Sequence, residues 1–216
     1  MNMEKIAIIG AGGFGREVKT LIDDINRLSK EYELIGFYDD GEEKGKIING
    51  LPVLGTVAEL NTLDTPLNIA LALGNPKAKE KIISEINNAK ISFPNLIHPT
   101  VTMSTDDVNL GYGNIITAGC MLTCNITLGN FVILNLMCTV GHDTIINDYC
   151  SFMPGINISG EVIIEPCVYV GTGAKIINQL RIGQNTTVGA GAVIIKDVPD
   201  NVVVVGNPGK VIKHKA

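Results

Sequence analysis

From Leu110 onward, one position in every six is apolar without a break. Leu110, Ile116, Leu122, Leu128, Leu134, Val140, Ile146, Phe152, Ile158, Ile164, Val170, Ile176, Ile182, Val188 and Ile194 are all Ile, Leu, Val or Phe. In a chain that is 45% hydrophobic, fifteen such residues in one frame arise by chance about once in 10⁵. Four positions further on stands a small or β-branched residue, as at Cys120, Ile126, Val132, Cys138, Thr144, Cys150, Ile156, Val162, Val168, Ala174, Thr186 and Ala192. A period of six matches neither the 3.6 of a helix nor the 2 of an ordinary strand. It predicts short flat strands joined by turns, three to a triangular coil, with coils stacked as parallel strands about 4.8 Å apart. The large residue of each step points inward, where full burial contributes roughly 1.5–3 kcal/mol before entropy is deducted. Glycines at 111, 129, 141, 171, 183 and 189 follow the large residue, and the expectation is that they accept turn dihedrals.

The first 95 residues have another rhythm. Lys5–Gly10 is an apolar run that predicts a strand, Gly12–Gly15 a turn, and Val18, Leu21, Ile22 and Ile25 the buried stripe of a helix. Glu33–Tyr38 and Leu67–Leu73 predict two further strands, and Lys77–Asn88 a second helix. The pattern predicts a small Rossmann-like βαβ α/β domain over 1–95, followed over 96–216 by a parallel β-helix of hexapeptide repeats with a C-terminal tail. His98 is expected to be structural at the junction, and His214 to lie in the tail.

Composition narrows the function. The net charge of −5 argues against a nucleic-acid binder, which presents a basic face. The apolar runs are too short for a membrane helix and no cleavable leader is evident, so neither a membrane nor a nucleic acid is expected as partner and the location is expected to be cytoplasmic. The five cysteines lack C-x-x-C spacing, which points to reduced thiols rather than disulfides or a zinc knuckle. No metal is expected. Gly10-x-Gly12-x-x-Gly15 has dinucleotide spacing, but a lone match is weak and too few strands follow for a complete dinucleotide domain. NAD is therefore not expected.

Several segments together carry a resemblance: IAIIGAGGFGREV at Ile6–Val18, GFYDD at Gly36–Asp40, ALGNP at Ala72–Pro76, NLIHPT at Asn95–Thr100, VGHD at Val140–Asp143, and VPDNVVVVGNPGKVI near the end. The chain resembles the hexapeptide-repeat acyltransferases, which have a left-handed parallel β-helix. Within them it is similar to the sialic-acid O-acetyltransferase family and the bacterial nucleotide-linked amino-sugar N-acetyltransferases.

The resemblance implies a homotrimer with active sites between subunits, acetyl-CoA as donor substrate, and a nucleotide sugar held by the N-terminal domain. It implies His142 as general base, with Asp143 beside it to increase the basicity of the imidazole. It implies coenzyme contacts from Ser151, Thr172 and Ala190, and substrate contacts from Gly12, Gly13, Phe14, Asp39, Asp40 and Gly74. The expected reaction is acetylation of the amine of a nucleotide-linked amino sugar, of the 4-amino-4,6-dideoxy type, in bacterial surface glycan biosynthesis. O-acetylation of a sialic acid or another sugar hydroxyl is the alternative within the class. A non-catalytic nucleotide-binding module is the alternative outside it. A β-helical zinc lyase needs three histidines, and only His142 lies within the repeats.

Overall fold

The computed structural model describes residues 3–104 and 106–215. Its N-terminal part is one six-stranded sheet among the described residues. The strands are β1 (Glu4–Ile9), β2 (Tyr32–Tyr38), β3 (Ile47–Ile48), β4 (Leu51–Gly55), β5 (Leu67–Leu71) and β6 (Ile91–Ser92), in the order β3-β4-β2-β1-β5-β6. All neighbours are parallel except β3 and β4. Helix α1 (Gly13–Ser29) buries Val18, Leu21, Ile22 and Ile25, the stripe expected from the sequence. Helix α2 (Pro76–Glu85) is capped by Asn75, whose side chain accepts from the Ala78 N–H. A 3₁₀ turn at Val57–Thr62 is closed by the reciprocal Thr56–Glu59 capping box.

The second part is a left-handed parallel β-helix. Its three faces are sheets of eight, six and five short strands among the described residues. Register advances 18 residues per coil: Ile115 pairs with Ile133, Ile133 with Ser151, Ser151 with Tyr169, and Tyr169 with Thr187. From Ile116 to Ile194 the hexad residues are at most 4% exposed, and the smaller set from Cys120 to Ala192 is at most 1% exposed. Cys120, Cys138 and Cys150 therefore serve as packing. Burial pushes the Cys150 thiol up to about 12.

Two expectations need correction. The glycines that follow the large residue are required by close approach, not by turn dihedrals. A Cβ at Gly141 would lie 2.6 Å from the Gly160 nitrogen, and one at Gly171 would lie 2.5 Å from the Ala190 nitrogen. His214, expected in a tail, instead ends a hairpin over 202–214. Val202–Val205 joins the eight-stranded sheet in parallel, and Lys210–His214 returns antiparallel as its edge.

The β-helix also begins earlier than its sequence frame. Ile97 pairs with Ile116 and Met103 with Leu122, a step of 19, whereas Leu110 pairs with Leu128, a step of 18. The segment between Met103 and Val108 thus carries one extra residue. Counting back in sixes from Leu110 lands on Ser104 and His98, while the residues that pack inward are Met103 and Ile97.

The N-terminal domain sits on one face of the β-helix. Leu96, Ile115 and Ile133 share a core with Val18, Leu21, Ile22 and Ile25 of α1. His98 braces this junction, with Nε2 3.2 Å from Asp24 Oδ2 on α1. Phe131 stacks on Tyr149 at 5.6 Å and meets Phe93 edge-on at 5.1 Å. No helix among the described residues is long and apolar enough to cross a membrane.

Candidate active site

Each corner of the coil carries one residue per turn in the left-handed region. One corner is the column Asn125, Asp143, Glu161 and Gln179, with φ of 55°, 57°, 59° and 61°. Polar side chains suit this exposed column because they bond along it. Asn125 Nδ2 donates to Asp143 Oδ1 at 3.0 Å, and Gln179 Nε2 donates to Glu161 Oε2 at 3.2 Å. His142 precedes Asp143, and its Nδ1 lies 2.7 Å from Asp143 Oδ2. Asp is therefore long enough to reach the ring. The hydrogen bonds from His142 and then Asn125 hold the Asp143 carboxyl below its usual range. The imidazole is about half exposed and lies over Gly160, one coil on: a Cβ at Gly160 would sit 2.5 Å from both Cε1 and Nε2 of the ring. Gly160 was not anticipated from sequence, although its offset of 18 from His142 marks it as the next residue in that column.

Thr172 and Ala190 stand on a different corner. They stack one coil apart, with the Gly191 N–H donating to the Thr172 carbonyl at 2.8 Å. This corner is a column of Gly119, Met137, Gly155, Gly173 and Gly191, with φ of 73°, 60°, 72°, 73° and 66°. A Cβ at Gly155, Gly173 or Gly191 would meet nothing within 4 Å, so bare backbone is open to a long thin ligand such as a coenzyme arm. One chain does not bring this column to His142.

Ser151 does not fit the coenzyme role expected of it. It is fully buried, its Oγ lacks a hydrogen-bond partner, and it lies on the face between Ile133 and Tyr169. The next carbonyl back, that of Cys150, accepts a hydrogen bond from Lys79 of α2 at 3.0 Å. In this single chain Ser151 has no surface open to solvent.

On the N-terminal domain, Gly12 is the N-cap of α1 and no side chain caps the helix. The N–H groups of that first turn are left for water or an anion. Gly12 and Gly13 are exposed and Phe14 is half-buried. Gly15 is needed for closeness, since a Cβ there would lie 1.8 Å from the Gly10 carbonyl oxygen. Asp39 takes hydrogen bonds from the Ala11 N–H at 2.7 Å and the Gly41 N–H at 2.8 Å, and Asp40 takes one from the Val57 N–H at 2.8 Å. Both carboxylates therefore fix the loops around them. They also line a cleft of about 180 Å³ with Gly10, Tyr38 and Leu73, at the carboxyl ends of β1 and β2. That is where open α/β sheets bind ligands. Gly74 lines a larger cleft, of about 670 Å³, between Asn75–Lys77 and the β-helix face at Met153, Tyr169 and Thr187.

Sequence reasoning missed Lys79. It is fully buried, and its Nζ donates to the carbonyls of Phe131 at 2.6 Å and Cys150 at 3.0 Å. In the sequence it is one of several lysines on a polar helix, and only the docking of α2 distinguishes it.

Residues 5–86 match the family described as PglD N-terminal domain. Over its whole length the chain is similar to GDP-perosamine N-acetyltransferase of Escherichia coli O157:H7, at 32% identity with 98% of each chain covered. It superposes with a TM-score of 0.88 on the acetyltransferase domain of PglB from Neisseria gonorrhoeae FA1090 in complex with acetyl coenzyme A, at 35% identity, covering 98% of this chain and 100% of that one. PerB from Caulobacter crescentus, in complex with CoA and GDP-perosamine, superposes with a TM-score of 0.87 at 28% identity, covering 98% and 99%. The chain belongs to the family of acetyl-CoA-dependent sugar N-acetyltransferases built on a left-handed β-helix.

Proposed function

We propose that this chain transfers the acetyl group of acetyl-CoA to the amine of a nucleotide-linked 4-amino-4,6-dideoxy sugar, with His142 as general base. The observation that carries the reading is the His142–Asp143–Asn125 corner. Asp143 accepts from Nδ1 of the ring and is itself held by Asn125, which leaves the Nε2 lone pair free to take a proton. General-base help of this kind is worth about 10²–10⁴-fold. The coenzyme thioester supplies an activated acyl group with a thiolate leaving group. His142 Nε2 removes the proton that the attacking amine loses as the C–N bond forms and the C–S bond breaks, and that proton ends on the departing thiol.

The N-terminal domain holds the sugar nucleotide. The uncapped first turn of α1 at Gly12–Phe14 suits its phosphates, and Asp39 and Asp40 border the cleft suited to its nucleoside. Similarity along the full chain to a GDP-perosamine N-acetyltransferase supports an amine acceptor on a nucleotide-linked sugar. The open Gly155–Gly173–Gly191 column supports Thr172 and Ala190 as neighbours of the coenzyme arm. His142 and that column occupy different corners, which supports a homotrimer as the working assembly. A threefold axis parallel to the β-helix axis would set one subunit's His142 corner against the next subunit's column.

The test is thiol release from acetyl-CoA against UDP-, dTDP-, GDP- and CMP-linked amino sugars, with product analysis. Transfer to the amine of one of them is expected. A purely O-acetylated product, or no release with any acceptor, would overturn the reading.

Gly160 gives a sharper check on His142. Alanine suits the backbone at Gly160, but its Cβ collides with the imidazole. Gly160→Ala is expected to lower kcat by roughly 10²-fold, the cost of misplacing a catalytic group by about 1 Å, with little change in Tm. Unchanged kcat in a folded variant would separate His142 from the chemistry.

A further inference from the structure

Met137 breaks the rule of its corner. The four other residues in that column are glycines, and Met137 adopts the same left-handed conformation at φ 60°. A side chain in this region costs conformational energy that glycine avoids. Other non-glycine corner residues have compensation. Asn125, Asp143, Glu161 and Gln179 bond along their column, and Phe131 and Cys167 are buried. Met137 is 65% exposed. Among the described residues it is the one aliphatic side chain that is both left-handed and mostly open to solvent.

Its position gives that exposure a use. Met137 folds back over Gly119, placing Sδ 2.4 Å from where a Cβ on Gly119 would lie. The bare column therefore runs from Gly191 through Gly173 to Gly155 and stops at Met137. Leu136 and Met121, both at least 42% exposed, make the same end apolar. Met137 also lies in the coil that contains His142: only the strand Thr139–Val140 separates the two corners. In the trimer proposed above, a threefold axis parallel to the β-helix axis leaves heights unchanged, so the end of the column in one subunit is level with His142 of the next.

We infer that Met137 is a specificity-determining residue: it closes the acyl end of the donor track and limits the transferred group to about two carbons. The inference rests on the coenzyme reading proposed above. The pantetheine arm lies along Gly155–Gly191, the acyl methyl contacts the Met137 thioether, and a longer chain has no space.

The test measures binding of acetyl-CoA, propionyl-CoA and butyryl-CoA by calorimetry without acceptor, followed by relative kcat/KM with acceptor. The wild type is expected to bind butyryl-CoA at least tenfold more weakly than acetyl-CoA. Met137→Gly supplies the residue the column otherwise uses, so its Tm should not fall, and the discrimination should shrink to within about twofold. Met137→Ala keeps a Cβ at the same left-handed position and should fall between. Equal discrimination by wild type and Met137→Gly, in proteins that bind and transfer acetyl, would overturn the role of Met137 alone. Failure of the wild type to bind acetyl-CoA at all would overturn the coenzyme reading, and this inference with it.

Discussion

Replacing His142 by asparagine lowers kcat for acetyl transfer by about 10²–10⁴-fold, with Tm unchanged and the affinity for the nucleotide sugar retained. The change is confined because the ring is half exposed and touches little besides Asp143 and Gly160. The backbone of the residue matters more to the fold, since the His142 carbonyl accepts from the Glu161 N–H at 2.8 Å, and asparagine keeps that bond. Asparagine also retains a polar tip yet takes up no proton near neutral pH, so the lost function is proton acceptance rather than shape. Steady-state kinetics with acetyl-CoA and the preferred acceptor measure the loss, and thermal unfolding measures the control. A loss smaller than about fivefold, with the acceptor identified, would mean that the attacking amine finds its base elsewhere.

Removal of the Lys79 amine should have the largest structural effect. Lys79→Ala leaves the Phe131 carbonyl without its buried Lys79 donor, takes one of two donors from the Cys150 carbonyl, which keeps the Ile133 N–H at 3.0 Å, and opens a void at the domain junction. The expected cost is roughly 3 kcal/mol, shared between the stranded Phe131 acceptor and the void. Lys79→Met fills the void without restoring the bonds and should recover only part of the loss. The wild type should also show a pH signature. Burial pulls the Lys79 amine down to about 7 from an ordinary 10.5, and nearby Cys150 and Cys167 oppose this more weakly. Below about pH 7 the amine is charged in both states, and the cost of burying that charge is present in full. Between about 7 and 10.5 the unfolded chain holds a proton that the folded chain has released, so stability rises with pH, by at most about 1.4 kcal/mol per unit. Chemical denaturation from pH 6.5 to 9.5 should show the wild type gaining on Lys79→Met as pH rises. A constant difference between the two would mean that the amine keeps its proton.

What the sequence made legible follows from how often an environment repeats. Each hexad residue from Ile116 to Ile194 meets the same surroundings one coil above and below, so a single frame exposes the β-helix. The frame fails where one extra residue enters between Met103 and Val108, because a six-residue count has no memory of register across an insertion. In the N-terminal domain, β1, β2, β5 and the buried stripe of α1 were readable from apolar runs. β4 contains Pro52 and β6 is two residues long, so neither gives a periodic signal, and their pairing is tertiary. The box Thr56-x-x-Glu59 is a local sequence signature of the helical start at Val57. Within the site, His142 and Asp143 stood out by type and adjacency. Gly160 and Met137 become visible only when the chain is wound into coils of 18 residues and read down the columns. The burial of Ser151 in the single chain was not legible, because resemblance carries a residue's position in the sequence but not what covers it.

The C-terminal hairpin has a consequence for the protein as a material. A stack of parallel coils ends in unpaired strand edges, and identical chains could add to one another end to end like rungs on a growing ladder. Here the widest sheet is closed by Lys210–His214, a strand that runs the wrong way for continuing the coil and is exposed at every residue. It presents Lys210, Lys213 and His214 outward where a further coil would need a flat apolar edge. The turn that reverses the chain after Val205 thus ends the widest sheet on an antiparallel, lysine-bearing edge that a further parallel coil does not match.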